Sequence, residues 1–150
     1  MPPGCCEAAG ARRCPDCGAQ GHRVDAETVR ALTVERVLAA MPQGELGICL
    51  SPSCDTVYFS QQLDSPWVAR REDVTVRVFR KEQAPGRLVC YCFGHTVASI
   101  REEVLRTRNS GIEEELRRMV ADRRCSCKTT NPQGTCCLGD VRRVVEEVKR

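Results

Sequence analysis

The chain has 150 residues, twelve of them cysteine and only 4% aromatic, with a formal charge of +3 from 23 basic and 20 acidic side chains. Both signs are mixed along the chain, which excludes the basic stripe of a nucleic-acid-binding surface, and no run approaches the roughly eighteen apolar residues of a membrane span. The length suits one domain or two small ones. Half-sized domains bury too little apolar surface to be stable unaided, so disulfides or metals must supplement the core.

The start, Met1-Pro-Pro-Gly-Cys-Cys-Glu, has neither the basic n-region nor the apolar h-region of a signal peptide. The sequence therefore reads as cytoplasmic. Thiols stay reduced there, and a rich cysteine pattern points to metals rather than disulfides.

Residues 1–13, rich in Pro, Gly and Ala and carrying Cys5–Cys6, read as a flexible tail. Residues 14–82 read as short and strand-like, a small β-rich unit of zinc-ribbon type. Thr56-Val-Tyr-Phe is β-prone, and Val74, Val76 and Val78 alternate in a β-branched run. One helix is expected inside this unit. Val34, Val37, Leu38 and Met41 fall at i, i+3, i+4 and i+7, and Pro42 ends the pattern.

The turn-rich Gln83-Ala-Pro-Gly-Arg stretch separates this unit from residues 86–150, where the texture becomes helical. A helix from Thr96 to Leu105 would carry Val97, Ile100, Val104 and Leu105 on one face. Ser110-Gly-Ile-Glu113 has capping-box spacing and opens a second helix with Ile112, Leu116, Met119 and Val120 inward. A third, from about Leu138 to Val148, shows Leu138, Val141, Val144, Val145 and Val148. Between the second and third lies a loop, Cys125 to Gly134. The fold class is α+β: a β-rich unit followed by three short helices.

Cys14-Pro-Asp-Cys17-Gly is a thiolate knuckle whose x₂ spacing turns both sulfurs onto one ion, and Cys49 and Cys54 form a second pair. Two such pairs give the four-sulfur tetrahedral shell of structural zinc, with no open position for catalysis. The plain alternative for Cys49, between Ile48 and Leu50, is a buried apolar thiol. His22 lies in polar sequence and reads as an exposed turn residue.

Six cysteines remain downstream: Cys90, Cys92, Cys125, Cys127, Cys136 and Cys137. Cys90-Tyr-Cys92 is spaced too tightly for a zinc knuckle but can hold one iron of a binuclear cluster, the second iron drawing its thiolates from the distant loop. A 2Fe–2S centre on four thiolates carries about −2 net charge and seeks N–H donors. Helix starts just after Cys92 and just after Cys137 are expected to aim their free amides at the sulfurs.

Val89-Cys-Tyr-Cys-Phe-Gly-His-Thr, then Cys125-Ser-Cys127 and Gly134-Thr-Cys-Cys-Leu-Gly-Asp-Val, resembles the 2Fe–2S domain of bacterioferritin-associated-ferredoxin (BFD) type. It is most similar to the version in CopZ-type copper chaperones. There the ferredoxin-like unit follows a zinc domain whose Cys-Pro-x-Cys-Gly start and Cys-x₄-Cys … Val-Tyr-Phe close match Cys14 to Phe59. The resemblance covers residues 14 to 150 and implies copper handling and electron transfer. It departs in two places. The ferredoxins close with C-x₂-C, whereas here Cys125 or Cys127 pairs with Cys136 or Cys137; we favour Cys127 and Cys137 and keep Cys125 and Cys136 as alternates. The sequence to Arg150 also lacks the C-terminal copper domain with its Met-x-Cys-x-x-Cys loop.

The remaining thiols include Cys5–Cys6, suited to a soft ion such as Cu(I), Hg(II) or arsenite. His95 is a candidate to hydrogen-bond a cluster sulfur, against the plainer roles of capping a helix or facing water. Trp67 reads as a packing anchor. Arg117-Arg118 and Arg123-Arg124 offer a basic side for an acidic redox partner, or simply a solvated face.

The reading that follows is a soft-metal, copper-handling protein with a structural zinc and a one-electron 2Fe–2S centre, reducing or delivering the ion. Its partners would be the metal ion, a redox protein or a copper transporter, with no nucleic acid and no membrane insertion. A zinc-only ribbon module binding nucleic acid or a protein is the rival, disfavoured by the lack of interleaved aromatic and basic residues. A dithiol metal reductase working at Cys5–Cys6 or Cys136–Cys137 ranks last, because no base and oxyanion donors accompany the thiols.

Overall fold

The computed structural model describes residues 13–60 and 66–150. The N-terminal tail expected over 1–13, with Cys5 and Cys6, lies outside the described residues apart from Arg13.

Short β-prone runs separated by turns build a four-stranded antiparallel sheet in sequential order: β1 (His22–Val24), β2 (Leu46–Ile48), β3 (Thr56–Ser60) and β4 (Val68–Arg70). The register sets His22 opposite Ile48, Ile48 opposite Tyr58, and Phe59 opposite both Gly47 and Val68. Every residue of β3 is buried. Its residues serve two clusters. Val57 and Tyr58 join Val24, Val29, Leu32, Leu46, Ile48, Trp67, Ala69, Val74 and Val78 in one apolar core, while Phe59 packs with Cys14, Cys49 and Cys54.

Phe59 reaches the cysteines because nothing stands above the β1–β2 backbone. A Cβ on Gly47 or on Gly21 would lie 2.6 Å from the Phe59 ring. Trp67 is buried, and its indole donates to the Val37 carbonyl at 3.0 Å, so it anchors packing as expected.

Of the helix expected over Thr33–Met41 only one turn forms, α2 (Glu35–Leu38), and a separate helix that the pattern did not mark, α1 (Ala26–Leu32), precedes it. Thr33 breaks them apart. It is extended and forms an isolated bridge with Val74. α1 escaped the periodicity argument because Thr28, fully buried, takes an inward position and donates to the Lys128 carbonyl at 2.6 Å. Val74–Val78 keeps its alternation, with Val74 and Val78 buried, but it is no sheet strand. A 3₁₀ turn at Arg71–Asp73 carries the chain off the sheet after β4, and Asp73 accepts from the Arg70 amide.

The second core gathers Phe79, Val89, Ile100, Val104, Leu116, Val141, Val144 and Val145 with Cys90, Cys127 and Cys137. A short hairpin, β5 (Leu88–Cys90) and β6 (His95–Thr96), leads into α3 (Val97–Thr107) and α4 (Gly111–Ala121). The expected loop from Cys125 to Gly134 contains a further one-turn helix, α5 (Cys127–Thr130), ahead of α6 (Leu138–Lys149). The expected three helices are therefore accompanied by a hairpin and a fourth, short helix. Ser110 accepts from the Glu113 amide and caps α4 as its spacing implied. The inward faces are narrower than expected: Leu105 is 57% and Val120 37% exposed.

The two cores join at Val78 and Phe79, a few residues ahead of the Gln83–Arg87 turn. Hydrogen bonds knit them. The Tyr58 hydroxyl donates to the Pro132 carbonyl at 2.7 Å, and Arg80 pairs with Asp140 at 3.1 Å. No helix among the described residues is long and apolar enough to cross a membrane.

Overpacking a filled site typically costs about 1–3 kcal/mol. Gly47→Ala is expected to destabilise the metal-loaded protein by that order in urea unfolding, because its methyl would meet the Phe59 ring. Gly86→Ala, where a Cβ meets nothing within 4 Å, serves as the control and should change little.

Candidate metal centres

The first centre is built on two turns brought together by the sheet. In the knuckle, the Gly18 amide returns to the Cys14 carbonyl at 2.9 Å, and Gly18 sits at φ +74°, where a side chain would strain the backbone. The Cys14 amide bonds the Ala19 carbonyl at 2.9 Å. Across the sheet, the Cys49 amide bonds the Val57 carbonyl at 2.8 Å, and the Ser51–Cys54 turn brings Cys54 round. Thr56 donates its hydroxyl to Asp16 inside the knuckle, tying it to β3.

The result is four Sγ atoms, of Cys14, Cys17, Cys49 and Cys54, all within 4.8 Å of one another. Cys14 and Cys54 are 3.8 Å apart and Cys17 and Cys49 3.7 Å. A tetrahedral ion with Zn–S bonds of about 2.3 Å requires sulfur–sulfur edges of about 3.8 Å, so the donor set fits zinc. Cys14, Cys49 and Cys54 are buried and Cys17 is exposed.

Amides point at these sulfurs: Cys17 and Asp16 to Cys14, Ala19 to Cys17, and Ser51 to Cys49. Burial pushes the Cys49 thiol up to about 12, and burial also raises Cys14, while the Ala19 amide lowers Cys17. Buried thiols held this high are protonated at neutral pH without a metal, so metal binding must release protons. His22 is exposed at the start of β1 and is not in the four-sulfur group.

Sequence reasoning missed Lys81. It is only 3% exposed, and its ammonium donates to the carbonyls of Ser51 at 2.8 Å and Cys54 at 2.7 Å, where its charge also acts on Cys49. No local pattern marks it, because the contact spans 27 residues.

The second group has a different shape. Cys90 ends β5, Cys92 lies in the hairpin turn, Cys127 opens α5, and Cys137 immediately precedes α6. Cys92 and Cys127 are 3.6 Å apart, and Cys137 shares side-chain hydrogen bonds with Cys127 and Cys90. Cys137 thus neighbours both Cys90 and Cys127, and Cys127 neighbours Cys92. Among the described residues, no three of these sulfurs fall within the 4.8 Å that the first group satisfies. Of the alternates, Cys125 is half-buried and hydrogen-bonds Cys127, and Cys136 is exposed.

Hydrogen bonds from Cys137 depress the Cys127 thiol to about 5 and Cys90 to about 7, and Cys137 itself is driven upward by the same bonds. Burial raises Cys92, and it raises Cys125 to about 11. Thiolates grouped in this way are held by donors. The Ser126 amide reaches Cys92 Sγ at 3.1 Å, as does the Thr130 hydroxyl. Amides of Phe93 and Cys92 serve Cys90, and that of Cys137 serves Cys127.

The expected source of these amides needs correction. α3 begins at Val97 rather than just after Cys92, and its first amides are already committed: Val97 to the Arg87 carbonyl, Ala98 to that of Pro85, and Ser99 to the Thr96 hydroxyl. The amides of Cys92 and Phe93 in the hairpin turn, and those of Ser126 and Cys137 just ahead of α5 and α6, serve the sulfurs instead. Thr96 caps α3 and His95 pairs with Cys90 across the hairpin. Arg117 forms an ion pair with Glu113 at 3.0 Å; Arg118, Arg123 and Arg124 are exposed.

Residues 11–72 match the CopZ family described as a zinc binding domain. Over 125 residues the chain is 33% identical to the copper chaperone CopZ of Archaeoglobus fulgidus, a match that covers 83% of this chain and 57% of that protein. The chain thus spans little more than half of that relative. The X-ray structure of the Archaeoglobus fulgidus CopZ N-terminal domain is similar at a TM-score of 0.68 and 32% identity, covering 88% of this chain and 96% of that one.

Replacing Cys49 by Ser is expected to lower zinc affinity by more than the roughly 10–100-fold typical of losing an outer-shell partner. Competition with a chromophoric chelator measures this, and retention of wild-type affinity would remove Cys49 from the donor set.

Proposed function

The chain belongs to the family of the CopZ N-terminal domain, and on that premise we propose that it is a copper-handling protein of the cytoplasm with two resident thiolate centres. Zinc is held by Cys14, Cys17, Cys49 and Cys54 and serves structure, since four sulfurs leave no position for water or substrate. A 2Fe–2S cluster is held by Cys90, Cys92, Cys127 and Cys137. What favours two irons there over a second zinc is that no three of these described sulfurs come within the spacing of the first, single-ion group, together with their amide donors. Free thiols at all ten described cysteines accord with a reducing compartment.

When bound, such a cluster supplies one-electron redox chemistry. The protein's part is to set its environment. Val89, Ile100 and Val141, all within 1% exposure, wall the buried side, and the amides of residues 92, 93, 126 and 137 stabilise charge on the sulfurs. Cys92 and Phe93 lie at the accessible edge, Phe93 being 38% exposed. Cu(II), as substrate, would take one electron there and leave as Cu(I), the electron coming from an external one-electron donor. Soft thiolate ligands then retain the reduced ion. Arg123 and Arg124, immediately ahead of Cys125, give this edge a positive border suited to an acidic redox partner or to a copper transporter.

The test compares two neighbours. Anaerobically purified wild-type protein and the Cys136→Ser variant are expected to contain iron and acid-labile sulfide and to show visible charge-transfer bands, whereas Cys137→Ser should lose most of both. A wild-type protein that is colourless, free of sulfide and loaded with two or more zincs would refute the proposal.

A further inference from the structure

Lys81 sits on a single 3₁₀ turn, Phe79–Lys81, between the two cores. Its ammonium is buried at 3% exposure and is met by two carbonyl oxygens, of Ser51 and Cys54. Among the described residues no carboxylate forms an ion pair with it. Glu82, next to it in sequence, and Asp55, next to Cys54, both pair with Arg71, at 3.6 and 3.9 Å. A buried cation without an anion is costly, and structures pair such charges. The carbonyl it touches belongs to Cys54, and its field reaches Cys49. Four thiolates around one divalent ion carry a net charge of about −2.

We propose that Lys81 is the counter-ion of the four-thiolate zinc centre, and that through it zinc fastens the turn connecting the two cores. The inference rests on the zinc reading of Cys14, Cys17, Cys49 and Cys54. The turn has two ends. At one, Lys81 clasps the Ser51–Cys54 loop. At the other, Phe79 enters the second core, and its amide donates to the Tyr91 hydroxyl at 3.0 Å. Tyr91 stands between Cys90 and Cys92, and its hydroxyl donates in turn to the Arg77 carbonyl. A continuous chain of contacts therefore runs from a zinc ligand to the residue separating two thiols of the second group. With zinc bound, the −2 centre holds the ammonium in place. With zinc removed, the charged centre is dispersed, the Ser51–Cys54 loop that holds the ammonium is released, and the turn should open.

Zinc affinity is measured by chelator competition on the full chain, with the Co(II)-substituted protein reporting the ligand set. Lys81→Met, which removes charge and donors, and Lys81→Gln, which keeps N–H donors without charge, are both expected to bind zinc about tenfold more weakly than wild type, the scale of an outer-shell loss. If both bind within about twofold of wild type, or if Lys81→Gln alone recovers full affinity, the counter-ion role is overturned. If the wild-type chain itself gives no thiolate-to-cobalt spectrum, the zinc reading falls with it. Hydrogen–deuterium exchange on the wild-type protein, before and after zinc removal with EDTA, avoids any folding defect of the variants. Amides of residues 79–82 should exchange faster after removal. Unchanged exchange there, while residues 14–18 and 49–54 loosen, would overturn the proposed fastening.

Discussion

Everything in the N-terminal unit depends on four sulfurs converging on one point. The sheet strands are three to five residues long, at the short end of the usual range. A four-thiolate ion supplies what such strands lack, since metal-binding free energy is folding free energy when the site is absent from the unfolded chain. Phe59 makes the arrangement possible. It lies across two glycines on one side and against Cys14, Cys49 and Cys54 on the other, so the metal centre and the sheet share one packing residue.

The second unit solves the same problem differently. Its helices bury only a narrow stripe, chiefly Ile100, Val104, Leu116, Val141, Val144 and Val145, and leave Leu105 and Val120 to solvent. The cysteines are part of that core rather than appended to it. Four elements contribute one sulfur each: a strand end, a hairpin turn and two helix starts. Gathering charge from separate elements demands donors at each, and the amides at residues 92, 93, 126 and 137 provide them. The compact tetrahedron and the wider second group show how the same residue type is sorted by backbone context into two kinds of donor set.

Much of this was legible in the sequence because metal ligation is written locally. The x₂ spacing of Cys14 and Cys17 implies a turn, and Ser110-x-x-Glu113 implies a cap; both are properties of a few consecutive residues. α6 was readable from its valines, which recur on one face. Features that depend on distant pairing were not. The break at Thr33 comes from its bridge to Val74, and the late start of α3 comes from the hairpin pairing of Cys90 with His95. Thr28, buried by a bond to a carbonyl a hundred residues on, disguised α1 as a polar segment. Lys81 looks in sequence like any surface lysine in a basic stretch; only the folded chain places it beneath the zinc loop.

The sorting of thiols into one mononuclear and one binuclear centre is tested most directly by X-ray absorption at the zinc and iron edges of the anaerobically purified protein. The account predicts zinc surrounded by four sulfurs at about 2.3 Å, and iron bonded to sulfur with a second iron as its next neighbour. An iron-free protein, with zinc alone filling both sets of thiolates, would contradict it.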